Sequence, residues 1–194
     1  MGEFVLVTGP ESSGTKLITR ILIEMGYKGE YTHEQTLDKL VDNNVPLKLN
    51  NNPKDHYVLR RSVPHYKIKQ FPDYAEIKDW AISNKLKFKT IITFRNAVPC
   101  LLSKVLRKHN EALPDYTLLM DQFTYIAENI YMLRPFLVVS TSFLTVSPQR
   151  SLFEIANFLQ KDILTQIDCI YDMDEKHYPK EMQNDIRRHS EQDA

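Results

Sequence analysis

The sequence predicts an α/β fold of three layers, a central and mainly parallel sheet flanked by helices, and three observations predict it. Phe4-Val5-Leu6-Val7 is an unbroken apolar run, the pattern of a parallel strand covered on both faces. A turn bounded by Gly9 and Gly14 carries that run directly into Leu17, Ile18, Ile21, Leu22 and Met25, which recur at helical spacing. Further along, strand-like runs keep alternating with helical segments, the order that builds parallel crossovers.

In chain order, the first helix is expected to close at Gly26, which suits the left-handed residue of a C-terminal cap. A short helix is expected over His33 to Leu40, and a loop over the asparagine- and proline-rich stretch Asp42 to Asp55. His56 to Arg60 reads as a second strand and Pro72 to Lys85 as a helix, with Tyr74, Ile77 and Ala81 forming an apolar stripe around Trp80. Phe88 to Phe94 is the clearest later strand. Val98 to Lys108 follows as a helix with Pro99 in its first turn, and a longer helix runs from Tyr116 to Leu133. Phe136 to Val139 is a further buried-type strand, then a loop, Pro148, and a helix holding Leu152 to Leu159. No repeat or linker divides the chain, so residues 1–194 are expected to form one domain, with 172–194 as a charged, frayed tail.

Composition narrows the function. Lysine plus arginine and aspartate plus glutamate number 25 each, a neutral balance that argues against nucleic acid or an anionic membrane as partner. Cys100 and Cys169 stand alone, outside any metal-binding spacing, so no metal site is expected and a reducing, cytoplasmic setting is the expectation. No apolar run approaches the ~20 residues of a membrane span, and the chain enters its first strand without a leader-like segment.

Gly9-Pro10-Glu11-Ser12-Ser13-Gly14-Thr15-Lys16 follows a buried strand and opens a helix, the setting a phosphate-binding loop requires. Small residues let the backbone curl until successive N–H groups converge on one anion, and the helix terminus adds donors and partial positive charge. Thr15 offers a hydroxyl and Lys16 a mobile cation. With this loop, the expected architecture is a P-loop NTPase-like one. The loop differs from the nucleoside triphosphate pattern, GxxxxGK[ST], in that Thr15 precedes Lys16. The next strand end delivers Arg95 where a kinase needs an acidic magnesium ligand, so the loop reads as an anion holder that works without metal.

A second constellation begins there. Arg95 stands at the carboxyl end of a strand, which faces the ligand crevice of open α/β sheets. Ser103 lies eight residues on, in reach of the same anion, and Lys104, Arg107, Lys108 and His109 add local positive charge.

Together the two segments resemble the PAPS-dependent sulfotransferase family, most closely its compact bacterial and phage members that carry GPESSGT and RSxPH segments. That family pairs a phosphosulfate loop, PKSGTTW, with an arginine at a strand end and a serine eight positions later. Ser13-Gly14-Thr15 matches the first, and Arg95 and Ser103 the second. The resemblance implies transfer of a sulfuryl group from 3′-phosphoadenosine-5′-phosphosulfate (PAPS) to a hydroxyl or amine of a small-molecule or carbohydrate acceptor, leaving 3′-phosphoadenosine-5′-phosphate (PAP). Ser12, Ser13, Gly14, Thr15 and Lys16 would hold the phosphosulfate, and Arg95 and Ser103 the 3′-phosphate. The family's loop lysine aligns with Ser12, so Lys16 is the candidate to neutralise the leaving oxygen. The family's histidine base aligns with Ser62, and His65 is the nearest imidazole, with Glu11 and Asp73 as rival bases. Ser140-Thr141-Ser142 stands where the family has a tyrosine-acidic pair, and Arg187-Arg188 is the only counterpart to its basic C-terminal loop. Arg60 and Arg61 are candidates to orient an anionic group. Tyr66, Phe71, Tyr74 and Trp80 either wall an acceptor pocket or belong to the core. Two other readings stay open: a metal-dependent P-loop kinase of small molecules or nucleotides, and a non-catalytic nucleotide-binding protein.

Overall fold

A computed structural model of the chain describes residues 1–29, 54–64, 71–96 and 116–162. An eight-residue reach and full burial make β1 (Glu3–Pro10) the central strand of the sheet. After it come α1 (Thr15–Glu24), β2 (Lys28–Gly29), β3 (Tyr57–Val63), α2 (Tyr74–Ser83), β4 (Lys87–Phe94), α3 (Tyr116–Glu128), β5 (Phe136–Ser140), α4 (Thr141–Val146) and α5 (Pro148–Leu159). The five strands form one sheet in the order β2-β3-β1-β4-β5, and every pairing is parallel.

The period-2 alternation of β1 divides the core in two. Val5 and Val7 point to a face covered by Leu17, Ile18, Ile21 and Leu22 of α1 and by Ile155 and Leu159 of α5. Phe4 and Leu6 point to the other, where Tyr74, Ile77 and Ala81 of α2 and Ile126 of α3 pack. Each such side chain contributes about 1.5–3 kcal/mol on full burial. Helices on both faces of the sheet make three layers. α1 closes as its sequence suggests: Gly26 takes φ 90°, and the N–H groups of Gly26 and Tyr27 donate to the carbonyls of Ile23 and Leu22 at 2.9 and 3.0 Å.

Several boundaries differ from expectation. β1 continues through Thr8, Gly9 and Pro10 because these residues pair with Arg61, Ser62 and Val63 of β3, which likewise extends past Arg60. β2, at the limit of the described residues, pairs its Lys28 and Gly29 with Tyr57 and Val58. The expected loop after β5 is instead the short helix α4, capped by the Ser140 hydroxyl accepting from the Phe143 N–H at 3.2 Å and anchored by buried Leu144. α3 ends at Glu128 and gives way to turns before Leu133. The helices expected over 33–40 and 98–108, most of the loop over 42–55, and the tail over 172–194 lie outside the described residues. Among the described residues no helix is long and apolar enough to cross a membrane.

α1, which follows β1, packs on one face of the sheet, and α2 and α3 pack on the other. In open α/β sheets generally, ligands bind outside the carboxyl ends of the strands at such a change of side.

The amino end of the sheet is closed by charge. The Glu3 carboxylate is buried and accepts from Lys89 Nζ at 2.8 Å and Tyr27 OH at 2.7 Å, with His56 Nδ1 3.6 Å away. Lys89 also donates to the Phe158 carbonyl, and Lys161 Nζ approaches His56 Nε2 at 3.0 Å, so this cluster fastens the end of α5 to β1 and β3. Burial pushes the Glu3 carboxyl upward, but the bonds from Lys89 and Tyr27 outweigh it and hold the group below its ordinary value. Burial, followed by the charge of Lys161, pushes His56 down, so the fold holds a neutral imidazole.

Two outcomes are expected. Lys89→Met, which leaves Glu3 buried without its main cation, lowers the unfolding free energy by about 3 kcal/mol in urea titration; an unchanged midpoint would remove the cluster from the stability of the fold. Both depressed groups act in the same direction with pH. The unfolded chain protonates histidine near the model-peptide value of 6.5 and glutamate near 4.5, before the folded chain does. The His56 contribution is therefore lost as pH falls below about 6.5 and that of Glu3 below about 4.5. Stability measured by urea falls continuously on acidification, and His56→Gln flattens the upper part of that slope.

Candidate functional site

At the carboxyl end of β1 the chain turns through Glu11 to Gly14. The Ser13 N–H donates to the Pro10 carbonyl at 3.0 Å, and Ser12 and Gly14 both take left-handed conformations, φ 68° and 93°. α1 begins at Thr15, and its first ladder bond runs from the Ile18 N–H to the Gly14 carbonyl at 3.2 Å. Amides of a first helical turn have no intrahelical acceptor. Left-handed residues alternating with helical ones gather such amides into a concavity suited to an anion. Gly14, the N-cap residue, lends no side chain to these amides, and the first turn carries no carboxylate to neutralise the helix end.

Hydroxyl groups hold this loop from below. Thr93, next to last in β4, donates to the Thr8 carbonyl at 3.3 Å, so the 2.7 Å contact between Ser13 Oγ and Thr93 Oγ1 has Ser13 as donor. Thr141, the first residue of α4, donates to the Ser13 carbonyl at 2.8 Å and lies 3.2 Å from the Phe94 carbonyl. On the other flank Thr15 Oγ1 meets Ser62 Oγ of β3 at 3.2 Å. Thr8 Oγ1 meets the Tyr74 hydroxyl at 2.8 Å, and burial pushes that phenol well above its ordinary range, so it stays protonated. The loop is thus tied to the ends of β3 and β4 and to the start of α4. Its glycines fit that packing closely: a Cβ on Gly9 would press on the Thr93 carbonyl and sit 2.7 Å from Ser13 Oγ, and one on Gly14 would sit 2.9 Å from Thr141 Cβ.

The sequence-predicted residues fall into groups. Ser12, Ser13, Gly14, Thr15 and Lys16 come together on the turn and the first turn of α1. Ser13 is fully buried, with its hydroxyl committed to Thr93, its N–H to the Pro10 carbonyl and its carbonyl to Thr141. Lys16 is half-buried in that first turn. Arg95, also half-buried, follows immediately on the strand end whose Thr93 and Phe94 are bonded into the loop bracing. Ser103 and His65 lie outside the described residues, as do Tyr66 and Arg187-Arg188. Of the rival bases, Asp73 caps α2 by accepting from the Glu76 N–H at 3.0 Å, and Glu11 is half-buried in the turn. Arg61 is 3% exposed, with Nη1 donating to the Arg60 carbonyl at 2.7 Å, while Arg60 is half-buried. Tyr74 and Trp80 belong to the core, Trp80 packing against Phe4 with ring centroids 5.4 Å apart. Phe71 is 38% exposed and packs on Tyr125. Among the described residues no group of three or more histidine, cysteine, aspartate or glutamate side chains is placed to hold a metal ion.

Neither the models of known protein families nor the curated proteins give a match to this sequence. The residues that sequence reasoning did not assign to the site are Thr8, Thr93 and Thr141. Their one available signal is position: each is a hydroxyl residue at or just beyond the carboxyl end of a buried-type strand.

Gly9→Ala tests the tightness of this packing. Added bulk against the Thr93 main chain, at φ 155°, lowers the unfolding free energy by about 2–3 kcal/mol in urea titration. A loss below about 0.5 kcal/mol, the range of an ordinary surface change, would mean the loop is not fixed there.

Proposed function

We propose that the chain is a P-loop sulfotransferase, moving the sulfuryl group of PAPS to a hydroxyl or amine acceptor. The observation that carries this reading is the bracing of the loop after β1 against the strand end that precedes Arg95. A concavity of main-chain amides and a guanidinium thereby originate on one rim of the sheet. A ligand bearing phosphate at both ends of a nucleoside suits such a pair. The donor set fits it chemically: first-turn amides and Lys16 for one anionic end, Arg95 for the other, and no carboxylate in the first turn of α1 to repel either.

In this reading the turn of residues 12–16 holds the phosphosulfate through the amides that follow Ser13, and Lys16 offsets the charge that collects on the bridging oxygen as the sulfur–oxygen bond breaks. Arg95, with Ser103, holds the 3′-phosphate and so discriminates against nucleotides that lack it. The acceptor heteroatom attacks sulfur in line with the departing oxygen and passes its proton to a base. His65 is the proposed base, because an imidazole titrates near ~6.5 and accepts a proton at neutral pH; the use of Asp73 as a helix cap makes it the weaker rival. Positioning and fixed charge supply most of the acceleration in the analogous phosphoryl transfers.

A thermal-shift series tests the reading directly. PAP raises the melting temperature well above the shift given by AMP, and Arg95→Ala abolishes that difference while leaving the unliganded midpoint in place. The lost contact corresponds to roughly 1.5–3 kcal/mol, or about ten- to 150-fold in affinity. Equal shifts for PAP and AMP in the unmodified protein would sink the donor assignment. Magnesium-dependent stabilisation by ATP alone would favour a kinase.

A further inference from the structure

Thr141 stands just beyond the carboxyl end of β5, at the start of α4. It is 4% exposed, 128 residues away from Ser13 in the chain, and its single hydroxyl proton is shared between the carbonyls of Ser13 and Phe94 at 2.8 and 3.2 Å. Its side chain also lies where a Gly14 side chain would otherwise project.

Peptide planarity gives this contact a directional consequence. The Ser13–Gly14 bond is trans, so the Ser13 carbonyl and the Gly14 N–H point in opposite directions across one rigid plane. Pulling the carbonyl toward Thr141 therefore turns the Gly14 N–H away from it. The Phe94–Arg95 peptide obeys the same constraint, so the bond to the Phe94 carbonyl restrains the plane from which Arg95 departs. Thr141 touches both the loop and the residue before Arg95 through main-chain carbonyls, whereas Thr93 reaches the loop through the Ser13 side chain.

We propose that Thr141 is the positioning residue of the anion site: it aims the Gly14 amide and fixes the loop relative to Arg95 without touching the ligand itself. This rests on the reading that the loop holds a phosphate, though it does not require the 3′-phosphate assignment.

Three substitutions separate direction from packing. Thr141→Val keeps the shape and removes the donor. Thr141→Ser keeps the donor and removes the methyl group against Gly14. Thr141→Cys keeps the approximate shape with only a weak donor. Affinities for pyrophosphate, AMP and PAP are measured by calorimetry beside each variant's unfolding midpoint. Thr141→Val is expected to bind all three ligands about tenfold more weakly, the scale of one net hydrogen bond. Thr141→Ser is expected within about threefold of the unmodified protein, and Thr141→Cys between them, so that affinity follows the hydroxyl and not the unfolding midpoint. Unchanged affinity in Thr141→Val overturns the proposal. So does an equal loss in Thr141→Ser, or, should the valine variant fail to fold, cysteine binding like serine. An unmodified protein that binds AMP and PAP equally removes the donor assignment, yet the variants still report on Thr141 through AMP and pyrophosphate. An unmodified protein that binds none of the probes overturns both.

Discussion

A strand buried along its whole length must hand its chain over to a loop whose polar main chain is also partly enclosed, and the packing around β1 is organised by that requirement. Buried carbonyls and amides left unbonded cost about 1–3 kcal/mol each. The chain meets the requirement with hydroxyls: Thr93 serves Thr8, Thr141 serves Ser13 and Phe94, and Ser13 serves Thr93. Because each partner belongs to a different element, satisfying the main chain of the loop also fixes where β4 and α4 sit around it. The glycines complete the arrangement, since at Gly9 and Gly14 the supporting groups approach closer than any side chain permits.

What was legible in the sequence was what is local. The run Phe4 to Val7, the small residues of the turn and the helical spacing from Leu17 to Met25 each lie within a few residues, and β1, the loop and α1 form where they predict. Gly9 reads as the start of the turn, yet both Gly9 and Pro10 are paired to β3. β2 was not read from the sequence, since Lys28 and Gly29 show as strand through their pairing with Tyr57 and Val58. α4 was hidden because Ser140-Thr141-Ser142 has loop composition, and its helix follows from a capping hydroxyl and the burial of Leu144. Within the site, the turn and Lys16 were legible from their spacing. The inward commitment of the Ser13 hydroxyl and the role of Thr141 were not, since both depend on strands brought together by the sheet order.

The two ends of the sheet are built from different chemistry. At the amino end the Glu3–Lys89 ion pair, with neutral His56 and Lys161 beside it, fastens α5 to the strands, an arrangement that is strong only while each charge keeps its partner. At the carboxyl end hydroxyls make the bonds that join Ser13, Thr8 and Phe94 to Thr93 and Thr141, with Lys16 and Arg95 flanking the loop in sequence and strand register.

A bracket made of threonine and serine has no protonation state to change over about pH 3 to 10, because aliphatic hydroxyls do not ionise in water there. Acid that loosens the amino end leaves the orientation of the loop's supports chemically untouched. Over that interval, any response of this end of the sheet to proton concentration originates in the ionisation of neighbouring side chains and of whatever binds there, not in these hydroxyls.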